Sequence, residues 1–517
     1  MNTLNSSAQK QWLASPIVVI TGFALIKLIL HLLTNAFDTY GYFRDELYYV
    51  VCSDNLAPGY VDQPPLSLFF LAANRMLFGD SLFALRLLPA FLGTLTVFLT
   101  GLMAKELGGK LYALSLACLA SIFSLSFLAS CSYYSMNSFD LLCWSFTSYL
   151  LLKLINTEKS VYWFPIGITL GFGLLNKTGV LWLGFGIFAG LIFTRERRWL
   201  KTSWPWGAGC LALLLFLPYI IWNFQHDFAH LEFIRNATAG KYSSQNAMTF
   251  LSGQMLQQNP VLFPLWLLGL WYLMMKADKK YRLLSIVFCS AAAILLINGH
   301  SKAEYLSPAY AVLFAAGAVF LEQLFSSKRT LWLRYAFVLL ILLSAMLFPV
   351  VLAVLPVESF IAYSERLGIT PSSAEGKRLE SLPQFYADRF GWKEKAKAVA
   401  DVYHALSPED QAKCAIVADN YGRCAAIDFF GKQYNIPKTI GTHNNYWIWG
   451  PRNYTGEILI VLGGDLEDKQ QSFQTVEVAG TVTTPYCMPY ENNLRIYVCR
   501  GLKGNIDEAW SRKKHYI

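Results

Sequence analysis

Three adjacent charged residues, Arg44, Asp45 and Glu46, stand where the chain leaves its first long apolar run. They lie among aromatic side chains in the segment FDTYGYFRDELYYV. Neighbouring carboxylates in a half-apolar setting hold a proton or a cation more tightly than they do in water, which suits general-base catalysis or metal binding. The structural alternative is an ion pair between Arg44 and Glu46 on a helix at the membrane interface.

Two further acidic residues occupy positions where a carboxylate is unusual. Asp62 precedes a Pro-Pro pair at 64–65, which fixes the backbone ahead of an amphipathic interfacial helix. Asp140 falls at the outer end of a predicted membrane span, where a charge near hydrocarbon is costly and tends to be functional. The alternative for Asp140 is a helix cap, because Asn137 and Ser138 are also good first-turn residues.

Two lysines, Lys177 and Lys302, stand at predicted outer membrane ends, where lysine is disfavoured. Cations at these positions could hold a phosphate at the membrane surface. Snorkelling of the lysine ammonium toward water explains either residue equally well. Lys27 and His31 lie one turn apart inside the first span; pairing within the protein interior is expected, and no role is assigned to them.

The elements that must position these residues follow from hydropathy. Of the 517 residues, 55% are hydrophobic and only 15% are charged, which is typical of a membrane protein. A helix needs about 20 apolar residues to cross a hydrocarbon core about 30 Å thick. Eleven such spans are predicted, at about residues 15–36, 81–104, 111–131, 138–155, 162–176, 179–194, 205–223, 260–276, 283–298, 306–325 and 333–355.

The orientation of these spans follows from the basic loops. With the N-terminus in the cytoplasm, the loops 105–110, 153–159, 195–201, 276–282 and 328–334 all lie on the cytoplasmic side, as the positive-inside rule expects. The net charge of +9 is therefore attributed to topology, since no basic face with interleaved aromatics points to nucleic acid. The C-terminal segment and the loops 37–80 and 224–259 are predicted to lie outside.

The chain is predicted to divide into a membrane domain, residues 1–356, and a soluble extracytoplasmic domain, residues 357–517. In the latter, CAIVAD, EILIVLGG and LRIYVCRG read as strands and NYGRCAAIDFFGKQY as a helix, which indicates a small α/β fold. An outside location would permit disulfides among its four cysteines, although reduced buried thiols are the equal alternative; the cysteines are Cys414, Cys424, Cys487 and Cys499.

The ordered set of motifs resembles glycosyltransferase family 39 and the related dolichyl-phosphate-mannose-protein mannosyltransferase-like membrane enzymes of bacteria. RDELYY is similar to the first-loop acidic motif of that family, YVDQPPL to its Asp-x-Pro-Pro turn and SMNSFDLLCW to its second acidic site. KAEYLSPAYAVLFAAGAVFLE resembles its Lys-containing outer loop and helix, and ADNYGRCAAIDFFG with GTHNNYWIWGP resembles the extracytoplasmic tail of one bacterial branch. The resemblance implies the GT-C fold.

The resemblance also implies an activity: inverting transfer of a hexosyl or pentosyl group from a polyprenyl monophosphate carrier to an acceptor outside the cytoplasmic (inner) membrane. The acceptor, whether lipid, envelope glycan or protein, stays open, as does the sugar. Some lipid A-modifying relatives carry Lys-Pro-Pro where this chain has Gln63 before its two prolines. A phosphate contact from that point is therefore absent, and aminoarabinose transfer to lipid A is less favoured.

Within this resemblance, Asp45 is expected to act as the general base that takes the proton of the acceptor hydroxyl, with Glu46 supporting it. Asp62, Asp140, Lys177, Lys302 and Tyr305 are the expected substrate-binding residues, with the lysines stabilising the leaving lipid phosphate. A divalent metal held by Asp45, Glu46 and Asp140 is a further option that the sequence does not decide.

The alternative function is a transporter or lipid flippase with an extracytoplasmic ligand-binding domain. Such a protein would bind its substrate near the bilayer midplane, commonly between internal repeats. This sequence shows no internal repeat, and apart from Lys27 and His31 its ionisable candidates stand at the outer ends of the spans. An enzyme is therefore favoured.

Overall fold

The structure is a computed structural model that describes residues 15–242, 245–373 and 375–517. The chain forms two compact units. The helical unit comprises residues 1–38, 78–220 and 244–354, and the mixed unit comprises residues 39–77, 221–243 and 355–517. The predicted domain boundary at residue 356 divides the chain once. The compact units divide it differently, because residues 39–77 and 221–243 belong to the same unit as the C-terminal segment.

The helical unit is built almost wholly from α-helices. Its longer helices are Pro16–Ala36, Leu87–Glu106, Leu111–Phe123, Met136–Thr157, Trp163–Asn176, Val180–Phe193, Trp204–Gln225, Ala247–Gln257, Phe263–Trp271, Arg282–Asn298, Ala311–Leu324 and Leu331–Leu343. The last five residues of Trp204–Gln225, from 221 onward, belong to the mixed unit. Shorter helical turns lie at Leu82–Leu85, Leu125–Ser130, Ser160–Tyr162, Arg195–Lys201, Pro260–Leu262, Tyr272–Lys276, Lys279–Tyr281, Ala303–Tyr310 and Ser344–Val350.

Seven helices of the described chain are long and apolar enough to cross a membrane: Pro16–Ala36, Leu82–Glu106, Met136–Thr157, Trp204–Gln225, Lys279–Asn298, Ala303–Leu324 and Leu331–Val350. Shorter apolar helices lie at Leu66–Phe78, Leu111–Phe123, Val180–Phe193 and Pro260–Lys276. Each of the eleven predicted spans coincides with helical structure. The expected polytopic α-helical architecture is confirmed, and the count of eleven stays a prediction.

Small residues bring two helices of the helical unit into close contact. A Cβ atom at Gly269 would collide with the carbonyl oxygen of Leu313, and one at Gly317 would collide with that of Leu265. Glycine is the residue that lets helix backbones approach this closely in an apolar environment. Helices Phe263–Trp271 and Ala311–Leu324 therefore pack backbone to backbone.

The mixed unit contains a four-stranded sheet with the order β1-β2-β4-β3. Strand β1 (Cys414–Ala418) pairs in parallel with β2 (Ile458–Leu462), and β4 (Leu494–Leu502) is antiparallel to both β2 and β3 (Phe473–Val482). Three of these strands were predicted; β3 was not, because most of its side chains are solvent-exposed and show no apolar run. The α/β class of the soluble segment is confirmed.

Helices and short turns make up the rest of the mixed unit. They are Arg44–Ser53, Leu66–Phe78, Ala229–Gly240, Val357–Arg366, Gln384–Ala387, Trp392–Ala405, Pro408–Ala412, Tyr421–Phe430, Asn445–Ile448, Leu466–Ser472 and Ile506–Arg512, with single 3-10 turns at Gly431–Tyr434 and Pro489–Glu491. The four cysteines of the C-terminal segment are unbridged, as are the other six of the described chain. The reduced alternative of the sequence analysis therefore holds in this structure.

Candidate active site

The helix Arg44–Ser53 of the mixed unit carries the first acidic motif at its N-terminus. The fully buried Glu46 occupies the third helical position, and its Oε2 accepts a hydrogen bond of 2.9 Å from the backbone N–H of Phe43. A glutamate at this position satisfies a backbone donor that the helix leaves unpaired. Glu46 therefore fixes the start of the helix that carries Asp45, which is a positioning contact.

The carboxylate of Asp45 is held through one of its two oxygens. Tyr421 O–H donates to Oδ1 at 2.9 Å, and Arg44 Nε donates to the same oxygen at 3.3 Å. The side chain of Asp45 is 35% exposed. No described residue donates a hydrogen bond to Oδ2, so this oxygen is the one available to a ligand.

Two neighbouring rings and two cations hold the ring of Tyr421 in place. Its ring lies 4.7 Å from that of Tyr48 and 5.0 Å from that of His443. The Arg44 guanidinium lies 5.5 Å, and the Lys241 ammonium 5.7 Å, from the ring centroid. Burial raises the pKa of the Tyr421 phenol well above its usual range, and burial lowers the pKa of His443 to about 3. Tyr421 is therefore a permanent donor beside a neutral imidazole.

Arg44 connects Asp45 to a buried group of acids. Its guanidinium lies 3.4 Å from Asp388 Oδ2 and 3.6 Å from Glu375 Oε1, and it donates to Tyr490 O–H at 3.2 Å. Burial raises the pKa of Asp388 to about 7, against the opposing effect of Arg44. The ion pairs of Arg44 thus join three separate parts of the chain, rather than the single helix that the sequence suggested.

Asp62, predicted to bind substrate, lies in the same cluster. Its Oδ1 accepts hydrogen bonds of 3.2 Å from Tyr48 O–H and from Asn445 Nδ2. Burial, with a smaller contribution from the charge of Asp45, raises the pKa of Asp62 to about 6, and the charge of Lys241 opposes both effects. The structure therefore places Asp45 and Asp62 within electrostatic reach of each other, with the cation Lys241 near Asp62.

The helical unit holds a second group of predicted residues. Lys177 Nζ lies 3.3 Å from Asp140 Oδ2, donates to Asn137 Oδ1 at 2.9 Å, and lies 5.2 Å from the ring centroid of Tyr305. The N-cap of this helix is Ser135, whose side chain accepts from the N–H of Asn137. Asp140 is therefore an ion-pair partner one turn inside the helix, not its cap.

Three residues singled out in the sequence remain to be placed: Lys302, Lys27 and His31. Lys302 is half-buried at the residue before the turn Ala303–Tyr310. Lys27 and His31 are fully buried in the first span, and neither the Lys27 ammonium nor the His31 ring has a hydrogen-bond partner among the described residues. The expected interior pairing of these two side chains is therefore not a hydrogen bond.

No group of three or more His, Cys, Asp and Glu side chains within the described ranges is arranged to hold a metal ion. The option of a divalent cation on Asp45, Glu46 and Asp140 stays a prediction from the sequence. Glu46 fits such a site poorly, because its side chain is fully buried and its Oε2 already accepts a backbone hydrogen bond.

Three contributors to the site were not predicted from the sequence: Tyr421, Lys241 and Asn445. Tyr421 begins the helix that follows β1, and carboxyl ends of parallel strands are where α/β sheets commonly bind ligands. That rule could have singled out Tyr421. Lys241 and Asn445 lie in loops or short turns, and no local pattern in the sequence identifies them.

Comparison with known proteins agrees with this architecture. Residues 62–222 match the sequence model of the family described as dolichyl-phosphate-mannose-protein mannosyltransferase. The structure of ArnT from Cupriavidus metallidurans bound to undecaprenyl phosphate is similar over 92% of this chain and 97% of that chain, with 12% identity and a TM-score of 0.60. The apo form of the same protein is similar over 95% and 98%, with 13% identity and a TM-score of 0.61.

A more distant similarity extends to an oligosaccharyltransferase from Archaeoglobus fulgidus. Its structure, tethered to an acceptor peptide, covers 83% of this chain and 64% of that chain, with 13% identity and a TM-score of 0.54. No curated protein sequence matches the chain. At these identities the structures show the fold, which is GT-C. The predicted resemblance to protein mannosyltransferase-like membrane proteins is confirmed by the family match together with this fold.

Proposed function

We propose that the chain is an inverting membrane glycosyltransferase that moves a sugar from a polyprenyl monophosphate carrier to an extracytoplasmic acceptor, with Asp45 as the general base. The family match and the GT-C fold support a glycosyltransferase that uses a lipid-linked donor. The geometry around Asp45 carries the assignment of the base.

The assignment of Asp45 as the base rests on the different contacts of its two carboxylate oxygens. Tyr421 and Arg44 both donate to Oδ1, which fixes the plane of the carboxylate. Oδ2 receives no hydrogen bond from a described residue, and the side chain is about one-third exposed. A general base needs one accessible, oriented oxygen within hydrogen-bond reach of the proton that it removes. Asp45 meets that requirement.

The reaction balances as a single displacement. The acceptor hydroxyl oxygen forms a bond to the anomeric carbon as the bond from that carbon to the phosphate oxygen breaks, with inversion. The hydroxyl proton passes to Asp45 Oδ2, and the electron pair of the broken bond stays on the polyprenyl phosphate. The products are the glycosylated acceptor and the lipid monophosphate.

The leaving phosphate gains negative charge, and a preorganised cation would stabilise it. Lys177 is the candidate in the helical unit, because Asn137, Asp140 and Tyr305 hold its ammonium in place. The similar ArnT structure was solved with undecaprenyl phosphate, which supports a lipid phosphate as the ligand class. Lys302 is proposed as a second cation, and Lys241 of the mixed unit as a third.

The proposed location is the inner membrane, with the soluble domain and the site on the periplasmic side. Membrane lipids, the lipid-linked donor and the extracytoplasmic acceptor are the proposed partners. The positions of the basic loops and of the apolar helices support this orientation.

The test uses the full chain in isolated membranes with a radiolabelled polyprenyl phosphate sugar. Asp45→Asn removes the proton acceptor while keeping the size of the side chain, so transfer is expected to fall by about 10²–10⁴-fold. Asp227→Asn, at an exposed position outside the site, serves as the control and is expected to retain full transfer. Undiminished transfer by the Asp45 variant would overturn the assignment.

A further inference from the structure

A cavity of about 350 Å³ opens within the mixed unit beside the acidic cluster. Its walls include Trp222, His226, Trp449, Leu56 and Asn445. Ligand pockets in proteins start at about 300 Å³, so the cavity has room for a small ligand. None of the residues assigned to catalysis or to phosphate binding lines it, which leaves its purpose unexplained by the proposed reaction.

Asn445 connects this cavity to the acidic cluster. It lines the cavity, and its Nδ2 donates to Asp62 Oδ1 at 3.2 Å and to Tyr48 O–H at 2.6 Å. Tyr48 in turn packs on Tyr421, which holds Asp45. A ligand in the cavity would therefore lie one residue away from Asp62, on the same unit as the proposed base.

His226 offers the cavity one hydrogen-bond acceptor. Its ring stacks on Trp222 with centroids 4.2 Å apart, and its Nδ1 lies 2.8 Å from the carbonyl oxygen of Trp222. A carbonyl oxygen only accepts, so Nδ1 carries the proton and donates. In the tautomer whose only ring proton is on Nδ1, Nε2 is an acceptor, and no described residue contacts it by a hydrogen bond. Nε2 can then accept a hydrogen bond from a hydroxyl group of a ligand.

The remaining lining is aromatic and aliphatic. Trp449 is half-buried and lies edge-on to Tyr446 at 4.9 Å, which keeps the indole in place. A pyranose ring has two features that match this lining. Its C–H groups pack on the face of an indole, which carries partial negative charge, and its hydroxyl groups need hydrogen-bond acceptors. An acyl chain would satisfy the aromatic wall but would leave His226 Nε2 without a partner.

We infer that this cavity binds a pyranose ring of the acceptor, with the ring packed on Trp449 and a hydroxyl donating to His226 Nε2. This inference rests on the proposed glycosyl transfer. It narrows the class of acceptor to molecules that contain a saccharide. The cavity is then an acceptor subsite, separate from the residues that hold the lipid phosphate.

The test measures binding directly, so that it does not depend on transfer. Purified full-length protein in nanodiscs is titrated by saturation-transfer NMR with a panel of methyl pyranosides of glucose, galactose, mannose and N-acetylglucosamine. At least one is expected to bind. Trp449→Leu and His226→Phe are each expected to weaken that binding at least about fivefold, because each removes one of the two recognition elements.

Two controls separate the outcomes. Trp332→Leu changes an exposed tryptophan outside the mixed unit and is expected to leave binding unchanged. Asp45→Asn is expected to bind the pyranoside as the wild type does, even though it does not transfer. Absence of binding by every pyranoside, or equal binding by the Trp449 and Trp332 variants, would overturn the subsite while leaving the transfer reaction standing. Binding of a spin-labelled lipid in the cavity, together with no binding of any pyranoside, would also overturn the subsite.

Discussion

The phenolic O–H of Tyr421 donates to Oδ1 of Asp45 across 376 positions of sequence. The two residues come from different parts of the mixed unit: Asp45 from the first helix after residue 39, and Tyr421 from the helix that follows strand β1. The C-terminal segment therefore contributes a hydrogen bond to the proposed base directly. A domain that served only as a cover for the site would not require this contact.

The first prediction concerns this hydrogen bond. Tyr421→Phe keeps the ring and its packing but removes the donor from Asp45 Oδ1. The hydrogen bond fixes the orientation of the carboxylate, so its loss is expected to slow the proton transfer without weakening donor binding. The maximal rate is expected to fall about tenfold, with the donor KM unchanged. Initial rates of sugar transfer as a function of donor concentration provide the measurement.

Tyr497→Phe is the matched control, because its O–H donates to the carbonyl oxygen of Gly464, just after β2, and not to Asp45. A Tyr421 variant that kept the maximal rate of the wild type, or whose donor KM rose as its rate fell, would contradict the positioning role of the tyrosine.

The second prediction concerns Lys177. Lys177→Met removes the cation that lies beside Asp140 and Tyr305, so the donor KM is expected to rise at least about tenfold. Lys177→Arg keeps the charge and is expected to recover part of the loss. The measurement is the dependence of transfer rate on the concentration of polyprenyl phosphate sugar.

Because Lys177→Met also leaves Asp140 without its cation, the double variant Lys177→Met/Asp140→Asn is needed. If the lysine binds phosphate, the double variant stays defective in donor use. Full recovery in the double variant would mean that Lys177 only neutralises Asp140, which would remove it from the phosphate site.

How much of this could be predicted from the sequence depends on how local each signal is. The predicted spans coincide with helices because about 20 consecutive apolar residues define a span without reference to the rest of the chain. Strand β3 escaped prediction because its polarity hides the period-two pattern on which strand prediction relies. The capping contact of Glu46 was not predicted, because Phe43 stands at the N-cap where a capping box has Ser or Thr.

The candidate site was predictable in its acids but not in the contacts that orient them. Asp45, Asp62, Asp140 and Lys177 stood out because charges are costly at membrane boundaries. The pairing of Arg44 with Asp388 and Glu375, by contrast, depends on tertiary packing across more than 300 positions. No spacing rule within a single sequence reports such contacts.

The third prediction concerns the buried acid Asp388. Burial raises its pKa from 3.8 to about 7 in the folded chain. The folded state therefore binds this proton more tightly than the unfolded state, so the contribution of Asp388 to stability is full at low pH and is lost as the pH rises toward 7. The slope reaches at most about 1.4 kcal/mol per pH unit. Asp388→Asn is expected to abolish that slope.

Thermal unfolding of the purified protein in detergent, at pH 5, 6, 7 and 8, provides the measurement. The melting temperature of the wild type relative to that of the Asp388 variant is expected to fall as the pH rises. Asp401→Asn changes an exposed carboxylate and is expected to follow the wild type at every pH. Parallel curves for the wild type and the Asp388 variant would show that Asp388 does not change its protonation in this range.

The last prediction concerns the orientation of the chain in the membrane. Single cysteines are introduced at two exposed positions, Asp227→Cys in the mixed unit and Lys279→Cys in a basic loop of the helical unit. The positive-inside rule retains Lys279 in the cytoplasm, and the predicted spans then send Asp227 outside. A membrane-impermeant maleimide applied to intact spheroplasts is expected to label the Asp227 variant and not the Lys279 variant, whereas both react after permeabilisation. The wild type measures labelling of the native cysteines, of which Cys210 is exposed.

The orientation matters for the proposed reaction because the donor and acceptor meet outside the cytoplasm, where nucleotide sugars are absent. Labelling of Lys279 from outside would place the acidic cluster in the cytoplasm and would refute both the topology and the extracytoplasmic acceptor.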